Sequence, residues 1–204
     1  MIDNYQKIVQ GNLSNLYLDL PPDLARNMGA EQDGDGFVFK AFGGECLIRP
    51  DKILLDGKEA DGVLGILISL YALNAHPDPC EILPFKAFKE FPDSMPYTGA
   101  FITHTEQVLA PHVEKIAASM DIILETLDGK ASPDGVGGDF SFMVHALPKI
   151  VLCYIFYEAD EDFPASATCL YSSNARLFLP VDGLADVGEY TSKKMISIAA
   201  GTAG

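Results

Sequence analysis

Basic side chains are scarce. Fourteen Lys and Arg stand against 29 Asp and Glu, giving a net charge of −15. No Lys/Arg cluster offsets that field, so the chain repels phosphate backbones and anionic membrane surfaces, which argues against nucleic acid or membrane as partner. The N-terminus, "MIDNYQKIVQGN", lacks a basic segment followed by an apolar one, so it does not read as a signal peptide. The longest apolar stretch, Val63 to Leu73, is too short to span a bilayer. These absences point to a cytoplasmic protein. There the four cysteines, Cys46, Cys80, Cys153 and Cys169, are expected reduced; none forms a C-x-x-C pair.

The common catalytic signatures are missing too. There is no G-x-S-x-G and no H-E-x-x-H. "DGVGGD" has glycines but no lysine for a phosphate, and reads as a flexible loop within 128–139. No internal repeat or low-complexity block interrupts the 204 residues, of which 48% are hydrophobic. We read the whole chain, 1–204, as one domain with a sizeable core.

What is present falls into segregated strand and helix blocks. Ile2, Tyr5, Ile8 and Val9 place a short amphipathic helix over 2–10. Pro21-Pro22 opens a second, and Gly29 stops it. "GFVFKAF", "ECLIRP" and "KILLDG" read as a three-stranded antiparallel meander, with Phe37, Phe39 and Ala41 on one face. Residues 60–75 are apolar on every side and make a buried central helix, with Ser69 and Asn74 satisfied locally. The proline-rich 77–101 reads as an ordered loop packed by Phe85, Phe88, Phe91, Tyr97 and Phe101. Thr103 and Glu106 fit a capping box, followed by a stripe of Leu109, Val113, Ile116, Met120, Ile123 and Leu127; Pro111 restarts or kinks this helix.

"DFSFMVHAL" and the nearly continuous apolar "KIVLCYIFYE" read as strands, the second central. "SATCLYS" and "ARLFLP" suggest a hairpin across Ser172–Asn174. A helix from Gly183 to Ala199 carries Leu184, Val187, Thr191, Met195 and Ile198 inward. Segregated blocks without β-α-β alternation predict an α+β fold. It has a mostly antiparallel sheet (N-terminal meander plus C-terminal strands) packed with a buried central helix and a C-terminal helix.

"YEADEDFP" at 157–164 sets Glu158, Asp160, Glu161 and Asp162 at the exit of the apolar strand, with Phe163 expected to turn back into the core. Alternate carboxylates on one strand face suit a divalent cation, with Asp160 and Asp162 as ligands, or a general base. The EF-hand spacing is absent, and a solvated strand exit is the plainer reading. His104 and His112, with Glu106 or Glu114, offer a weaker zinc set. His145 reads as a satisfied core histidine, and Cys153 as an inert buried thiol.

Two stretches carry a family resemblance. Residues 65–101, "GILISLYALNAHPDPCEILPFKAFKEFPDSMPYTGAF", and 148–188, "PKIVLCYIFYEADEDFPASATCLYSSNARLFLPVDGLADVG", resemble the DUF3786 domain. The first matches its apolar helix, phenylalanine loop and Tyr-x-x-x-Phe ending. The second matches its apolar strand, acidic turn and Leu-Pro lead into the last helix. Tyr157 stands where the pattern has tryptophan, and Ser172 where it has aspartate. The resemblance implies a setting in anaerobic bacteria and archaea, beside iron–sulfur or corrinoid metabolism, and carries over no catalytic residue.

The sequence therefore favours a cytosolic binding or accessory module for an unknown protein partner or small ligand. Its contacts would come from Phe85, Phe88, Tyr97, Tyr157, Glu158, Asp160 and Asp162, and no cofactor is evident. The alternative is a small enzyme with a divalent metal or general base at 158–163; a homo-oligomeric structural protein is a third reading.

Overall fold

Apolar residues at helical spacing seat α1 (Asn4–Leu18) on the core through Val9, Leu13 and Leu16. The computed structural model describes residues 4–201. The expected helix over 2–10 is thus longer, and its inward face differs: Tyr5 and Ile8 are exposed, and Ile2 lies outside the described residues. The stripe that the long helix buries begins where the short reading ended. Helix α2 (Leu24–Met28) closes on Gly29, whose φ of 70° is the left-handed cap expected there.

The N-terminal sheet has strand order β1-β2-β3-β4-β5: β1 (Glu31–Asp33), β2 (Gly36–Ala41), β3 (Gly44–Ile48), β4 (Ile53–Leu55) and β5 (Lys58–Glu59), all antiparallel. It contains the expected meander and extends it by one short strand at each edge. Phe37, Phe39 and Ala41 face the core while Lys40 is exposed. Helix α3 (Gly62–Leu73) packs against α1. Tyr71 donates to Met28 O at 2.6 Å, and its ring lies 5.8 Å from that of Phe39. Ser69 accepts from Asn12 and donates to Ile66 O, and Asn74 donates to Leu70 O.

The second sheet has order β6-β10-β9-β8-β7, again antiparallel: β6 (Lys86–Ala87), β7 (Lys130–Ala131), β8 (Phe140–Leu147), β9 (Ile150–Tyr157) and β10 (Ser166–Tyr171). The apolar run does form the middle strand. Leu152, Tyr154 and Phe156 join the main core, while Val151 and Cys153 build a smaller cluster with Met143 on the opposite face. That second face is covered by the 76–85 segment. Lys149 secures the segment by donating to His76 O and Asp78 O at 2.6 and 2.9 Å.

The chain has the α+β fold that the sequence predicts. Among the described residues, no helix is long and apolar enough to cross a membrane.

Three local expectations fail. The proline-rich loop does not stay extended to 101, because Pro96 in the first turn starts α4 (Met95–Phe101). Thr103 is therefore no cap. The chain runs from α4 into a wide π-helical turn, Ile102–Glu106, and then a 3₁₀ segment, Gln107–His112. The α-helix restarts after Pro111 as α5 (Val113–Ala118), breaks at Ser119, and resumes as α6 (Met120–Thr126). The expected 172–174 hairpin is half right. Its first arm is β10, but Ala175–Leu177 form a 3₁₀ turn, and β10 pairs instead with β9 and β6. Helix α7 (Val181–Ala199) buries all five residues of the expected stripe.

Candidate functional site

The acidic turn is built differently from the sequence reading. Asp160 Oδ1 accepts the N–H of Asp162 at 2.8 Å and of Phe163 at 2.7 Å, and Asp160 N–H donates to Phe163 O. The turn is closed by its own aspartate, as Asx turns are, and needs no inward plug. Phe163 is 71% exposed, which corrects the expectation that it is buried. Asp160, Glu161 and Asp162 face solvent. Among the described residues, no group of three His, Cys, Asp or Glu side chains is placed to hold a metal ion.

The residues proposed from sequence are dispersed. Phe85 packs in the small cluster on the far face of the second sheet. Phe88 is buried and stacks on Phe101, with ring centroids 4.4 Å apart. Tyr97 is partly exposed on α4. Tyr157 is exposed at the end of β9, while Glu158 lines a broad groove of about 550 Å³ with Pro111, Val113, Glu114 and Ala165. His145 Nδ1 lies 2.9 Å from Asp128 O. His145 pairs across from Val151 and Cys153 from Met143, so the two do not face each other in the ladder. Burial pushes the Cys153 thiol up to about 11.

A more constructed site surrounds the π-helical turn, a kind of irregularity frequent at functional sites. Two consecutive residues, Thr105 and Glu106, tie the turn to α7 and to β10. Ser192 on α7 donates to Thr105 O at 2.8 Å and lies 3.1 Å from Tyr154 OH, extending the bond chain to the central strand. Glu106 Oε1 accepts the Cys169 N–H of β10 at 3.0 Å. Strand β6 covers β10 only at Leu170 and Tyr171, so the Glu106 carboxyl takes the edge donor just beyond the end of that strand.

The space left at this edge is a cleft of about 200 Å³. Its apolar walls are Phe88, Phe101 and Ile102, and its polar groups belong to Lys89, Thr98, Glu106 and Thr168. Burial raises the Glu106 pKa above the usual glutamate value; the Cys169 N–H and the Lys89 charge only partly oppose it. Raised carboxyl values in a cleft are a mark of functional sites. Of the ligand- or partner-binding residues expected from sequence, Phe88 alone lines this cleft; Phe101, expected to pack the loop, and Glu106, named for the weaker zinc set, line it too. Glu106 was legible in one way: it lies three residues before Leu109 and seven before Val113, so it continues the inward stripe as a carboxylate. Reading it as a capping partner concealed that signal.

The DUF3786 profile, "Domain of unknown function (DUF3786)", matches residues 21–194. The chain belongs to the DUF3786 family. No curated protein and no solved structure matches it. The match to this DUF3786 member begins within the linker before α2 and ends inside α7. It therefore spans both sheets, the π-helical turn and the Glu106 cleft.

Proposed function

We propose that this DUF3786 protein is a binding module, and that its ligand is a small molecule with a flat apolar body and a polar head. The body would lie along Phe88, Phe101 and Ile102; the head would meet Glu106 and Lys89. The observation that carries this reading is Glu106: a half-buried carboxyl, held against its own desolvation, beside a lysine in a small cleft at an unfinished sheet edge. Such a group costs stability and gives hydrogen-bonding power that a ligand can use. The aromatic segment 84–101 thus contributes through Phe88. The acidic turn, closed on itself, is not part of this proposal.

A small enzyme is the second reading, and the same residue favours it. A carboxyl with a raised pKa beside the Thr98 and Thr168 hydroxyls suits a general acid or base better than the solvated 158–163 carboxylates. For setting, we keep the cytosolic location expected from the sequence and an accessory role beside the iron–sulfur or corrinoid metabolism that the family resemblance implies. Any iron–sulfur cluster would belong to a partner, since Cys46, Cys153 and Cys169 are buried on β3, β9 and β10 and Cys80 lies in the 76–85 segment.

A screen of small polar aromatic molecules by amide NMR tests the proposal. Hits are expected to move Thr98, Ile102, Glu106 and Thr168, and to weaken about tenfold in Lys89→Ala or Glu106→Ala. Hits that cluster instead at Glu114, Glu158 and Ala165, or that ignore both substitutions, would contradict it.

A further inference from the structure

We propose that a second cleft, on the α7 side of the π-helical turn, binds a small polyamine. It has a volume of about 210 Å³, and Tyr97, Thr105, Asp182, Asp186 and Glu189 line it. Asp182, Asp186 and Glu189 recur at i, i+4 and i+7, so α7 presents them on one face. At 1.5 Å per residue the row runs about 10 Å along the helix axis. Asp186 and Glu189 also line an adjoining depression of about 220 Å³ with Val63, Tyr190 and Lys193, which lengthens the feature into a groove.

The acidic row is joined by an independent feature. Thr105 is fully buried, and its Oγ1 has no hydrogen-bond partner among the described residues. In an α-helix a threonine hydroxyl commonly bonds the carbonyl four residues back; on this π-helical turn it does not. A buried hydroxyl without a partner is costly, and Thr105 is among the residues that line this cleft. Lys193 shows the chemistry that the row accepts, since its ammonium pairs with Glu189. Burial first, then the neighbouring Glu189 and Asp182 charges, hold the Asp186 carboxyl above its usual range. Among the described residues, the carboxylates do not form a metal-holding group. Their spread suits an elongated cation with nitrogens several ångströms apart, and Tyr97 adds an aromatic side chain to the same lining. This inference stands apart from the Glu106 reading, because the two clefts share only Phe101 among their lining residues and Glu106 lines the first alone.

Calorimetric titration with spermidine and 1,4-diaminobutane at fixed ionic strength tests it, with Mg²⁺ as a charge control and trilysine as a peptide control. Spermidine is expected to bind saturably at one site and to move the Tyr97, Thr105 and Asp186 amides. Asp186→Asn and Thr105→Val should each weaken it about tenfold, while Glu158→Gln, in the other groove, leaves it unchanged. Both weakening substitutions relieve an unfavourable burial, so the variants remain folded. Absent saturation, equal losses in Glu158→Gln, displacement by Mg²⁺ at matched charge, or binding of trilysine in place of spermidine would each overturn the assignment.

Discussion

Gly43→Ala should cost about 4 kcal/mol, a large part of a typical domain's total stability. Phe42 and Gly43 form the two-residue turn between β2 and β3, with φ of 50° and 82°. Both central residues lie in the left-handed region, as a hairpin turn of this type requires. An alanine there carries the left-handed penalty, about 1–2 kcal/mol. Its Cβ would also fall 2.2 Å from Thr126 O, at the end of α6. That neighbour is backbone and cannot rotate away. Phe42 N–H donates to Ala146 O at 2.7 Å, so the same turn docks the N-terminal sheet on β8. Gly57→Ala is the control. Its φ is 74°, but among the described residues nothing lies within 4 Å of its added Cβ, so only the conformational penalty of about 1 kcal/mol applies. Urea midpoints of the two variants measure the difference. Equal losses would show that the hairpin tip is not wedged against α6.

Gly188→Ala is expected to destabilise by about 2 kcal/mol, although alanine is the better helix former by roughly 1 kcal/mol. The new Cβ would stand 2.7 Å from Phe101 Cε2, 2.7 Å from Tyr171 OH and 3.0 Å from Thr105 Cγ2. Those atoms belong to α4, β10 and the π-helical turn, so one methyl group pushes on three elements at once. Tyr171 OH donates to Leu184 O at 2.6 Å in full burial, and displacing it leaves a polar atom unpaired. Phe101 also forms a wall of both clefts. The variant should therefore lose ligand binding beyond what its stability loss explains. Thermal unfolding together with the amide shifts of Ile102 and Glu106 measures both effects. An unchanged or higher melting temperature would mean that the turn does not press on α7 as described.

Regular periodicity made much of this architecture readable. The stripe from Leu184 to Ile198, the apolar strand at 150–156 and the meander all sit where spacing places them, because burial of a continuous face overrides local competition. Tyr5 and Ile8 misled because a face counted over nine residues was too short to find the stripe that α1 buries. The capping-box reading of Thr103 failed because the helix had already begun at Met95, and local cap chemistry cannot reveal an upstream start. Phe163 misled in the opposite way. A lone aromatic after an acidic run looks like an anchor, but Asp160 closes the turn without it. The Glu106 cleft depends on three segments far apart in sequence, at 87–89, 98–106 and 168. No local pattern reports that the one-turn reach from a π-helical residue meets a strand edge that β6 leaves uncovered.

The most direct test is the titration of the Glu106 carboxyl by side-chain ¹³C NMR, paired with unfolding of wild type and Glu106→Gln across pH. Its folded value lies above its unfolded one, so the folded state holds this proton more tightly. That contribution is full below the unfolded value and is lost as pH rises through the folded one. We predict a Glu106 pKa above the ordinary glutamate range, and a wild type that loses stability relative to Glu106→Gln as pH rises across that window. A Glu106 that titrates at or below the ordinary value, with a stability difference that does not change with pH, would contradict the account.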